Sequence, residues 1–256
     1  MEDWSITERD RSGELAYWSE RKDSEGRLAN HWFERFYTTH FGLSLADYTD
    51  KRVLDIGCGP RGSLEWATTA RERVGLDPLA DEYRQLGSDE HSMVYVAAGA
   101  ESIPFPDGYF DIVCSFNSLD HVDNLHDAIG EIKRVARVGG LVLLLTDVHE
   151  EPTPQEPICF GWDVVDVCGP ELVPQTIACY EKSASGMYQS VEQAVLFDHA
   201  DPARRYGILS ARFVRVKPEL ELPGCDPDPQ QPDDLAPPDG PVRKRRWWTE
   251  TIWSRN

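Results

Sequence analysis

Val53-Leu54-Asp55-Ile56-Gly57-Cys58-Gly59-Pro60-Arg61-Gly62 decides the reading of this chain. A short apolar run, Lys51 to Ile56, ends at a Gly-rich turn, and a helix is expected over Ser63 to Glu72. Asp77 follows about 20 residues on, closing a second apolar run from Arg73 to Leu76. A strand, a glycine turn and an acid at the next strand end form a nucleoside-binding pattern. The glycines let backbone approach a ligand closely, and the acid holds a ribose. Two residues turn the pattern away from a dinucleotide. Asp55 would repel a pyrophosphate, and Pro60 has no N–H to offer a phosphate. A ligand with a cationic amino-acid end and a ribose but no phosphate suits them better, and S-adenosylmethionine is such a ligand. Taken singly, Gly57 and Gly59 need only make a tight turn, and Asp77 need only cap a helix.

Outward from this stretch, strand and helix signals alternate. Met93 to Ala97, Phe110 to Ser115 and Leu141 to Leu145 read as strands, and Leu125 to Val138 as a helix with Ile129, Ile132, Val135 and Ala136 on one face. This order predicts a parallel sheet covered by helices on both faces. After Val148 the alternation loosens. Thr176 to Tyr180 and Ala211 to Val216 read as strands, Cys159 to Cys168 and Met187 to His199 as helices. Three domains are expected: residues 1–50 as an N-terminal helical lid, 51–222 as the core with acceptor-pocket insertions, and 223–256 as a disordered Pro/Asp-rich linker ending in the basic-aromatic stretch Arg243-Lys244-Arg245-Arg246-Trp247-Trp248. In the lid, Leu28, Trp32, Phe33, Phe36, Tyr37 and His40 recur so as to make one helix face apolar.

Over residues 50–148 the chain resembles the class I S-adenosylmethionine-dependent methyltransferases of small-molecule type. Val53 to Gly62 is similar to their first motif and Gly75-Leu76-Asp77-Pro78 to their second. Ala100-Glu101-Ser102-Ile103-Pro104-Phe105, running on to Phe110-Asp111-Ile112-Val113, is similar to their A-E-x-L-P-F and F-D-x-V stretch, and Val138-Gly139-Gly140 to their P-G-G turn. The resemblance implies an α/β fold: a Rossmann-like, doubly wound, mostly parallel seven-stranded sheet whose last strand is antiparallel. It implies S-adenosylmethionine as cofactor, held by Asp55, Gly57, Cys58, Gly59, Asp77, Pro78, Ala100, Glu101, Phe116 and Asn117. Gly99 stands where many relatives carry an Asp for the adenine amino group, so backbone near Ala100 and Glu101 must recognise adenine.

Methyl transfer to a hydroxyl or amine releases a proton, so a base at the strand ends is expected. His121, Asp120 and His149 are the candidates, because neutral imidazole is available near pH 7. Tyr17, Trp18, His31, Asp147, Trp162 and Tyr188 are expected to touch the acceptor. The expected reaction is methylation of a small-molecule hydroxyl on a sugar or natural product, in bacterial polysaccharide or natural-product biosynthesis. A quinone, lipid or amine acceptor, a silent cofactor-binding scaffold and a nicotinamide-dependent reductase are the alternatives.

A net charge of −19 over 256 residues disfavours nucleic acid and anionic membrane as partners. Ser115-Phe116-Asn117-Ser118 also lacks the N/D-P-P-Y/F motif of nucleic-acid methyltransferases. No apolar run reaches the roughly 18 residues of a membrane span, and the acidic start is unlike a signal peptide. A cytoplasmic monomer or homodimer is expected. Six cysteines without a C-x-x-C pair point to reduced, packed thiols, with no metal site.

Overall fold

A computed structural model describes residues 6–30, 32–149, 151, 158–203 and 205–217. Seven strands form one sheet in the order β3-β2-β1-β4-β5-β7-β6. They are β1 (Arg52–Ile56), β2 (Glu72–Leu76), β3 (Val94–Val96), β4 (Phe110–Phe116), β5 (Ala136–Val148), β6 (Leu172–Glu181) and β7 (Gly207–Arg215). The first five run parallel, with Asp55 beside Gly75 and Cys114. β7 lies antiparallel between β5 and β6, which places the one reversed strand where the resemblance implied it. The central strands are buried along most of their length, as near-continuous apolar runs require.

Among the described residues five helices accompany the sheet: α1 (Ile6–Glu25), α2 (Glu34–Tyr37), α3 (Leu125–Val135), α4 (Val164–Cys168) and α5 (Met187–Gln193). In α3 the Asn124 side chain caps the start by accepting the N–H groups of His126 and Asp127 at 3.0 and 3.2 Å. Its buried residues Ala128, Ile129, Ile132 and Val135 make a single stripe. The helix stops three residues before the expected Val138, because Ala136 already pairs with Phe110 and opens β5.

The expected helix over Ser63 to Glu72 does not form. Trp66 Nε1 donates to the Ser63 carbonyl at 2.8 Å, and the Arg73 guanidinium takes the Leu64 and Glu65 carbonyls. The backbone N–H groups bond two or three residues back, Ala67 to Leu64 and Thr68 to Trp66, and Thr68-Thr69 adds two poor helix formers. Tight turns fill the segment instead. α5 is likewise shorter than expected, ending where Ala194 adopts a left-handed conformation.

The N-terminal region is α1, the short α2 and two 3-10 turns (Thr39–Phe41 and Leu45–Tyr48). Phe36, Tyr37, Phe41 and Tyr48 pack with Leu143, Leu145, Ile208 and α5's Met187 and Val191 in one core cluster. Trp32, expected on the buried face, is 64% exposed. Leu15 and Trp18 of α1 pack on a smaller cluster of Leu28, Leu79, Tyr83 and Leu86. The linker and basic-aromatic tail expected over 223–256 lie outside the described residues, as do Cys225 and His31. The five described cysteines are free, and no group of three metal-ligating side chains occurs among the described residues. No described helix is long and apolar enough to cross a membrane.

Candidate active site

A cavity of about 1030 Å³ opens over the carboxyl ends of β1, β2 and β4. Every residue expected at the cofactor lines it: Asp55, Gly57, Cys58, Gly59, Asp77, Pro78, Ala100, Glu101, Phe116 and Asn117. Tyr17, Trp18, Tyr188 and His121 line it too.

The glycine turn is shaped by its neighbours. Gly57 has φ 69°, and a β-carbon there would lie 2.3 Å from Ser118 Cβ, so only glycine fits. Its N–H and that of Cys58 go to the Leu76 carbonyl. Gly59 donates to Asp77 Oδ2 at 3.1 Å, and Gly62 to the Tyr95 hydroxyl at 3.0 Å. Four of the loop's backbone donors therefore point into protein, and Pro60 supplies none. With no helix following the turn, neither an amide cradle nor a helix N-terminus remains for a pyrophosphate. The donor set fits a phosphate-free nucleoside and does not fit a dinucleotide.

Two buried carboxylates stand in the cavity. Asp55 accepts the Tyr37 hydroxyl at 2.9 Å. Burial pushes its carboxyl up to about 7, against the opposing pull of the Ser63 and Tyr37 hydroxyls. Asp77 takes the Gly59 N–H on one oxygen and the Leu79 N–H on the other, at 2.9 Å. It too is pushed up to about 7, by burial first and then by the charge of Glu14 on α1. Glu101 lines the cavity, but its carboxylate is tied to the Asp123 and Asn124 N–H groups at 2.5 and 3.1 Å. Its side chain thus braces the start of α3 rather than a ligand. Asn117 holds a left-handed φ of 55°, a conformation Asn tolerates, and its N–H donates to Leu145 O at 2.8 Å.

Aromatic rings build the opposite wall. Tyr37 and Phe116 stand with centroids 4.4 Å apart, and Tyr188 sits edge-on to Phe33 at 4.5 Å and beside Phe36 at 4.8 Å. His121 is about a third exposed, with Nε2 3.6 Å from Asp120 Oδ2.

Four expected site residues lie elsewhere. The Asp120 side chain is fully buried behind His121 and does not line the cavity. Asp147 is buried and paired with Lys182. His149 is buried, with Nδ1 2.8 Å from the Glu151 carbonyl and its ring 5.1 Å from Tyr206. Trp162 packs on Phe197 and His199 and covers Gly207. Asp120, Asp147 and His149 lie at the carboxyl ends of apolar strands, where site residues are expected, so sequence position alone did not separate them.

The residues missed are Glu14, Arg61, Tyr37 and Phe33. Arg61 joins Glu25 of α1 through two hydrogen bonds of 2.8 and 2.7 Å, and its guanidinium lies 5.3 Å from the Trp18 ring centroid. Trp18 in turn stands 3.3 Å from where a Gly59 β-carbon would be. The acid–base pairing of Glu25 with Arg61 was visible as residue types but not as a contact.

Residues 54–144 match the family model of a methyltransferase domain. The chain is 37% identical over 120 residues to a malonyl-[acyl-carrier protein] O-methyltransferase of Enterobacter lignolyticus, a match covering 45% of each chain. It is 31% identical over 121 residues to the chloroplastic tocopherol O-methyltransferase of Arabidopsis thaliana, covering 44% of this chain and 35% of that one. The matched stretch thus spans less than half the length of these relatives. Among solved structures, the YcgJ protein of Bacillus subtilis superposes with a TM-score of 0.51 at 15% identity, over 70% of this chain and 99% of its own. A geranyl diphosphate methyltransferase bound to GPP and sinefungin gives 0.51 at 19% identity, over 71% of this chain and 77% of its own. These two structures share the fold.

Proposed function

We propose that this chain, whose residues 54–144 form a methyltransferase domain, transfers a methyl group from S-adenosylmethionine to a hydroxyl of a small molecule, a sugar or natural product. The observation that carries the reading is the gathering of the whole set of cofactor candidates around one cavity whose loop amides are already committed inside the protein. When bound, S-adenosylmethionine supplies an electrophilic methyl carbon. In this reading Asp77 holds the ribose and backbone near Ala100 and Glu101 meets the adenine. Gly57, Gly59 and Asn117 shape the floor beneath the amino-acid end. The aromatic wall of Tyr37, Phe116, Phe33 and Tyr188 excludes water and holds a ring-bearing acceptor. Such positioning can supply roughly 7–11 kcal/mol of the barrier. His121 takes the acceptor proton, and the buried Asp120 carboxylate orients its ring. The O-methyltransferase relatives support an oxygen acceptor.

The test is release of S-adenosylhomocysteine when the protein and S-adenosylmethionine meet a panel of sugar, phenolic, quinone and amine acceptors. Turnover on a hydroxyl acceptor supports the reading. Turnover on amines alone overturns the acceptor assignment. Cofactor binding without turnover on any acceptor leaves a binding scaffold.

A further inference from the structure

Helix α1 lies outside the matched domain, yet it lines the same cavity through Glu14, Tyr17 and Trp18. Glu14 reaches the Asp77 end of the cavity in particular. Its Oε1 accepts the Tyr83 hydroxyl at 3.3 Å and the Trp18 indole N–H at 3.2 Å. The fully buried Tyr83 also lies close to Asp77. One phenol therefore stands between two carboxylates that both face the cavity. A phenol has a single proton, so it cannot donate to both acids at once. Two like charges brought together repel, and further hydrogen-bond donors relieve that repulsion. Asp77 already feels that repulsion, since Glu14's charge adds to burial in raising its carboxyl. A vicinal diol brings two O–H donors to such a pair.

Building on the cofactor reading above, we propose that Glu14 is the second carboxylate of the ribose site, taking one ribose hydroxyl while Asp77 takes the other. α1 then closes on the cofactor through a direct contact. The rest of the helix is arranged for this. Leu15 and Trp18 seat it on Leu79 and Tyr83, and Glu25 ties its far end to Arg61 of the glycine turn. The cofactor-bound site is thereby finished by a segment that the core motifs do not contain.

Fluorescence titration of the full chain tests this with S-adenosylhomocysteine and with its 2′-deoxy and 3′-deoxy analogues. Glu14→Gln is expected to weaken S-adenosylhomocysteine about tenfold, the loss of a hydrogen bond to a charged group. The same substitution is expected to cost nothing further against one of the two deoxy analogues. Asp77→Asn is expected to show this pattern against the other analogue. An equal loss for all three ligands, or none, overturns the role of Glu14 while Asp77→Asn still reports on the cofactor site. If the unsubstituted protein binds none of the ligands, both the cofactor reading and this inference fall.

Discussion

The carboxyl ends of β1, β2 and β4 and those of β5 and β6 sit in one sheet but have opposite characters. Around β1, β2 and β4, buried acids face open space: Asp55 and Asp77 line a cavity, and their hydrogen bonds leave oxygen lone pairs for a ligand. Beyond β5, the polar groups are closed on one another. Asp147 holds Lys182, whose ammonium also lies 5.2 Å from the Tyr206 ring centroid, and that ring packs on His149. A buried charge with a charge partner is a structural element, whereas a buried charge beside a void is a binding element. The same residue types, in similar places after apolar strands, do different work according to what fills the space beside them.

The sharpest way to break this contrast is the two histidines. His121→Asn is expected to lower kcat by about 10²–10⁴-fold with cofactor affinity unchanged, the range for loss of a positioned base. His149→Asn is expected to leave kcat within about twofold. Stopped assays of S-adenosylhomocysteine release decide it, and a larger kcat loss from His149→Asn reverses the assignment.

The two aspartates come next. Asp147→Asn removes the carboxylate charge beside the part-buried Lys182 ammonium and is expected to destabilise the fold by about 1–3 kcal/mol, read by urea unfolding, with cofactor affinity unchanged. Asp77→Asn is expected to lower affinity by about 10–100-fold, which Asp147→Asn does not do. Equal behaviour of the two variants would erase the distinction between the halves.

The smallest effect concerns pH. Asp55 has its carboxyl raised to about 7 in the fold, above the ordinary value near 3.8. Between these values the folded state holds a proton that the unfolded chain has released, so stability contributed by this group falls as pH rises from about 4 to 7. Asp55→Asn removes that dependence. Relative to the unsubstituted protein it is expected to gain stability at pH 8 and little near pH 4, read from melting curves without ligand. A gain at low pH and none at high pH would contradict the burial of this acid beside Tyr37.

The sheet was legible, and the residues expected at the cofactor came to one cavity, because their signals are local. A short apolar run, glycines at fixed spacing and an acid at the next strand end need no distant partner to be recognised, and all of them came together around the cavity. The helix expected over Ser63 to Glu72 is replaced by tight turns whose N–H groups bond two or three residues back, a choice the apolar pattern did not show. The acceptor side was harder because its contacts are distant in sequence. Whether Trp162 faces a ligand or covers Gly207 depends on where β7 begins, 45 residues away in sequence. Glu14 carried no signal at all, since an acid on a polar helix looks like any solvated face until Tyr83 is placed beside it.

Isothermal titration calorimetry of the full chain with S-adenosylhomocysteine, S-adenosylmethionine and NAD tests the central claim most directly. The geometry of the glycine turn predicts micromolar binding of the first two, lost together in Asp77→Asn, and no heat from NAD. Tight NAD binding, or S-adenosylhomocysteine binding indifferent to Asp77, would contradict it.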